Sequence, residues 1–87
     1  MRVVLEIDAF VTDDYYLKKV VDLPFAPTPG LGLMVGESAW WQQLTVRHST
    51  WFTRQQEFRC SVEIDDVGDH SPHEIEDALK ASGWLPS

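Results

Sequence analysis

From Glu57 to Ile64 polar and apolar residues alternate without a break: Phe58, Cys60, Val62 and Ile64 in one phase, Glu57, Arg59, Ser61 and Glu63 in the other. Successive side chains of a strand point to opposite faces, so this pattern specifies a half-buried β-strand and excludes a helix. The same period of two opens the chain over residues 2–11, with Val3, Leu5, Ile7 and Ala9 on one face and Arg2, Glu6 and Asp8 on the other. Thr12-Asp13-Asp14 supplies turn chemistry, because Asp side chains bond to nearby backbone. The alternation resumes over 15–23: Tyr15, Leu17, Lys19, Val21 and Leu23 share a face, as do Tyr16, Lys18, Val20 and Asp22. Sequential strands usually pair, so these two segments read as a hairpin.

Pro24, Pro27, Pro29 and Gly30 end the second strand, since proline lacks the donor a ladder needs. Phe25 is expected to pin this loop to the core. Leu31 to Val35 reads as a short strand closed by Gly36-Glu37-Ser38. Residues 40–52 form the next strand, with Leu44, Val46 and His48 in one phase and Thr45, Arg47, Ser49 and Trp51 in the other. Thr53 to Gln56 is a polar turn into the strand at 57–64.

After an acidic loop, 65–70, comes the one segment with helix grammar. Ser71 is the N-cap, Pro72 occupies the first helical position and Glu74 stands where a capping box needs it. Glu74, Glu76 and Asp77 suit the positive end of the helix dipole, and Lys80 the negative end. Ile75, Ala78 and Leu79 make an apolar stripe. Gly83 fits a left-handed stop after a helix over about 72–82, with Trp84 reaching back over Leu79. The expectation is one α+β domain spanning 1–87. Its strands, within 2–64, form a five-stranded, mostly antiparallel sheet or a small SH3-like, partly open barrel, with one C-terminal helix.

Eighty-seven residues bury only about 60–65% of their unfolded surface, so the core is thin. Four Trp, four Phe and two Tyr within a 44% hydrophobic composition compensate, each buried ring removing about 150–250 Å² from water. Seven basic and fourteen acidic residues leave a net charge of −7, which disfavours nucleic acid and favours basic partners. Cys60 is the lone cysteine, so no internal disulfide forms. Glu6 and Asp8 interrupt the apolar run a signal peptide needs, and no stretch reaches the roughly 20 apolar residues of a membrane span. The expected location is cytoplasmic, with no membrane partner.

Each chemically suggestive feature has a plainer reading. Gly30 to Gly36 holds three glycines, but the third comes one residue late for a dinucleotide fingerprint and no Lys-Ser/Thr follows, so turn glycines explain it. His70 and His73 lie among carboxylates, as metal ligands often do, but a helix cap separates them and no metal is expected. Cys60 belongs to an apolar strand phase and reads as a buried thiol, not a nucleophile. Ser38 lacks the closing glycine of a nucleophile elbow, Trp40 standing in its place. No catalytic residues and no cofactor are expected, and the chain does not read as an enzyme.

Two features point to a contact surface. Trp40 and Trp41 are strand neighbours, so one indole turns outward, and Trp51 lies out of phase with Leu44 and Val46. Exposed Trp is common at binding hot spots. The acids Glu63, Asp65, Asp66, Asp69, Glu74, Glu76 and Asp77 come with no Lys or Arg between them, a run suited to steering a basic partner. In size and charge the chain resembles small acidic inhibitors carried by phages and other mobile elements, which imitate a phosphate backbone. The expected function is therefore a non-enzymatic domain binding a protein with a basic surface, in one version an inhibitor or accessory of a nucleic-acid-handling machine. The alternative is a ligand- or nucleic-acid-binding barrel using Trp51, Phe52, Arg47, Arg54 and Arg59 of the 44–59 hairpin as a stacking platform. A continuous basic and aromatic face on that hairpin would favour the alternative. Basic residues paired with Glu57 and Glu63 would favour the protein partner.

Overall fold

The computed structural model describes residues 1–8, 16–35, 43–65 and 67–86. The turn expected at Thr12-Asp13-Asp14, the segment Gly36-Glu37-Ser38, and Trp40, Trp41 and Asp66 lie outside the described residues. The elements are β1 (Arg2–Asp8), β2 (Tyr16–Asp22), β3 (Gly32–Met34), β4 (Gln43–Phe52), β5 (Glu57–Ile64), α1 (Pro72–Ala81) and β6 (Leu85–Pro86).

The strands form one open, six-stranded sheet in the order β3-β4-β5-β1-β2-β6. The expected hairpins β1–β2 and β4–β5 are antiparallel pairs. Of the two expected forms the mostly antiparallel sheet is the one observed, with one parallel pair and one strand more than expected. The sheet is mixed, because β1 also pairs with β5 in parallel, Leu5 against Cys60. It is also not a barrel: β3 and β6 are its two edges, and the sixth strand is the short β6, antiparallel to β2. A parallel pair needs a long connection between its strands, and here β2, β3 and β4 fill it.

One face of the sheet carries the core. Val3, Leu5, Ile7, Leu17, Leu44, Val46, Cys60 and Val62 pack with Ile75 and Leu79 of α1 and with Trp84. Lys19 shares that face and donates from Nζ to the Ser82 carbonyl at 2.9 Å, so the end of the helix lies over β2. The helix thus crosses from the end of β5 to β2, leaving the other face of the sheet open.

The helix ends follow the sequence grammar. Ser71 Oγ accepts from the Glu74 backbone N–H at 3.2 Å, and the Glu74 carboxylate accepts from the Ser71 N–H at 3.4 Å. Gly83 has φ +96°. Its N–H bonds to Lys80 O and the Trp84 N–H to Leu79 O, the two bonds of a Schellman stop. That stop turns the Trp84 indole into the core, 1% exposed. Its Nε1–H has no partner among the described residues, so the residue serves by its bulk. Phe25 is exposed, contrary to expectation, and Pro27 is the buried residue of its loop.

Candidate functional site

The open face is where the hairpin's charges meet. Glu57 is buried, and each of its oxygens faces one arginine: Oε1 lies 3.1 Å from Arg2 Nε and Oε2 2.9 Å from Arg59 Nε. The Arg59 guanidinium also lies 4.1 Å over the Phe52 ring, a cation–π contact. Further along the same strands Arg47 Nη2 meets Glu63 Oε2 at 2.5 Å. Arg47 and Arg59 are therefore paired with Glu63 and Glu57, while Arg54, in the turn between the strands, is exposed.

Trp51 lies on the other side of the sheet from Phe52 and Arg59, and a β-bulge is the cause. The β4–β5 register runs Val46↔Val62 and then His48↔Ser61, so Arg47 is an extra residue in β4. A one-residue insertion turns every later side chain to the opposite face. Ser49 thereby comes opposite Cys60 and Trp51 opposite Phe58, on the face that holds Leu44 and Val46. The phase assigned to Trp51 from β4 alone is thus corrected. Its ring tilts at 57° against Phe58 with centroids 4.9 Å apart, yet Trp51 remains 45% exposed. Trp51 and Phe52 therefore lie on opposite faces, and of the two it is Phe52 that shares a face with Arg59.

The acidic run follows the rim of the molecule from the open face to the helix. Glu63 is on the open face with Arg47. Asp65, just past β5, accepts a hydrogen bond from Thr45 Oγ1 and remains exposed. Asp69 and Asp77 are exposed and have no cationic partner among the described residues. Glu74 is exposed, but its carboxylate is engaged by the cap and by His70 Nδ1 at 3.0 Å. The His70 hydrogen bond is the main cause that holds the Glu74 carboxyl below its ordinary value, and the Ser71 N–H adds to it. Glu76 does not belong to the exposed set: it is 4% exposed and lies 3.8 Å from Lys80 Nζ. The helix packs through Ile75, Glu76 and Leu79, so a position expected on the docking surface lies on the packed side.

Cys60 and Gly30 take their plainer readings. Cys60 is fully buried. Desolvation pushes its thiol up from the ordinary value, against a weaker lowering by Ser49, whose Oγ accepts from Sγ at 3.6 Å. A raised thiol pKa opposes the thiolate a nucleophile needs. Gly30 has φ +91° and donates to Val46 O at 2.8 Å, which makes it a turn glycine at the edge of β4. No group of three or more metal-ligating side chains gathers among the described residues. No helix among them is long and apolar enough to cross a membrane.

No protein-family model, curated protein sequence or solved structure matches the chain.

Proposed function

We propose that this chain is a non-enzymatic interaction domain that binds a protein partner through its acidic rim. The observation that carries this reading is how the charges are paired. Arg47 and Arg59 are matched in place by Glu63 and Glu57, whereas Asp65, Asp69 and Asp77 face outward without a cation among the described residues. Unpaired charge of one sign, carried by the loop after β5 and by the helix, speeds the encounter with an oppositely charged surface. Trp51, half-exposed and braced by Phe58, stands at the turn end of β4, away from Asp65, and is an apolar anchor for a partner long enough to span the strand. A machine that handles nucleic acid presents a basic groove of the required sign, and an inhibitor or accessory of such a machine is the concrete form of the proposal.

The test is a comparative capture from native lysate. Wild-type protein and an Asp65→Asn, Asp69→Asn, Asp77→Asn variant are immobilised in parallel, and the bound proteins are quantified by mass spectrometry. The proposal expects a protein with a basic surface that the wild type retains and the variant loses. Identical recoveries on both would remove the acidic rim as the binding surface.

A further inference from the structure

On the open face a depression of about 230 Å³ runs along β1. Arg2, Val4 and Glu6 of β1 form its floor, with Glu57 and Arg59 of β5 on one side and Tyr16, Lys18 and Val20 of β2 on the other. At one end Glu57 holds two arginines by their Nε atoms, one on each carboxylate oxygen. The carboxylate is buried, while the side chains of Arg2 and Arg59 keep 60% and 38% exposure. Their Nη groups have no protein acceptor among the described residues. Arg59, hydrogen-bonded through Nε and lying over the Phe52 ring, is pre-organised, because its remaining N–H donors keep one orientation.

We infer that the Arg2–Glu57–Arg59 cluster is a receptor for a small organic monocarboxylate, whose short apolar body lies against Val20. Three observations select that ligand class. The paired guanidinium forks match the planar geometry of a carboxylate. The cluster carries two positive charges and one negative, so one added negative charge balances it. Glu6 and Lys18 stand opposite one another in the same depression and offset each other's charge, while the chain as a whole carries −7, so a dianionic phosphate or a polyanion meets long-range repulsion that a monoanion meets less. Val20, 50% exposed and level with Val4 in the neighbouring strand, offers apolar surface beside the cluster.

The test is a titration of the whole chain followed by NMR, observing the Nε–Hε signals of Arg2 and Arg59. The probes are phenylacetate, its neutral amide phenylacetamide, and inorganic phosphate. Saturable shifts are expected with phenylacetate, much weaker ones with phosphate and none with the amide. Arg2→Gln and Arg59→Gln should each weaken phenylacetate binding about tenfold or more, the scale of a lost charge-assisted bond. Arg2 is the more exposed of the two, so Arg2→Gln decides the matter if Arg59→Gln proves unfolded by melting. Equal binding of the amide, tighter binding of phosphate, unchanged affinity in Arg2→Gln, or no saturable shift would each overturn the inference.

Discussion

The β4–β5 hairpin and the segment that follows it both carry acid, and they use it differently. In the hairpin Glu57 and Glu63 stand within bonding distance of arginines two residues away or across the strand. In the segment after it, Asp65, Asp69 and Asp77 face solvent, while Glu74 holds the helix cap and Glu76 is buried. The carboxylates of the hairpin thus meet arginines, whereas Asp65, Asp69 and Asp77 meet no cation among the described residues. A count of charges along the chain cannot separate the two groups, because pairing is decided by strand register.

That contrast can be broken by stability measurements. The largest effect belongs to Glu57. Its carboxylate is buried between two cations, but both cations reach water, so the full cost of breaking a buried pair is not reached. Glu57→Ala should cost about 1–3 kcal/mol in a denaturant melt. Asp69→Asn should stay within about 0.5 kcal/mol of wild type. Equal effects at the two positions would erase the distinction between paired and free acid.

Next in size is the cap, the point where acid of the second region does serve the fold. Ser71→Ala removes the acceptor of the Glu74 N–H and should cost about 0.5–2 kcal/mol by the same melt. Glu74 adds a smaller, pH-dependent part. Its folded pKa is depressed, so its contribution is fully present above the ordinary glutamate value of about 4.3. It is lost as pH falls through the lower folded value. Wild type should therefore exceed Glu74→Gln in stability at neutral pH, with the gap closing as the solution is made acidic. A gap that is constant or widens toward acid would show that the His70 and Ser71 contacts do not hold the charged form.

Some of this was legible from sequence because the signals were local. The helix from its Ser71 cap to its Gly83 stop, the two hairpins and the burial of Cys60 all follow from residues within a turn or a strand of one another. The bulge was legible too, but only from both strands at once. Counting back from the turn at Thr53 to Gln56 pairs Phe52 with Glu57 and so Trp51 with Phe58. Leu44 and Val46 demand the opposite phase for Trp51, and only one inserted residue satisfies both. The parallel β1–β5 pair carries no local signal, and β6 is two residues long, too short for any period. Phe25 reads as inward on hydrophobicity alone, which does not forbid an exposed ring. Glu76 reads as outward by its charge, although it lies on the packed side with Ile75 and Leu79.

The central claim is that the free acid of the rim steers a basic partner, and its most direct measurement is the association rate constant with the captured partner by stopped flow. At low salt the Asp65→Asn, Asp69→Asn, Asp77→Asn variant should associate about tenfold or more slowly than wild type, with a smaller change in dissociation. The gap should narrow near 0.1 M salt, where the Debye length falls to about 10 Å. Equal association rates at low salt would contradict the claim and leave the rim as a solvated surface only.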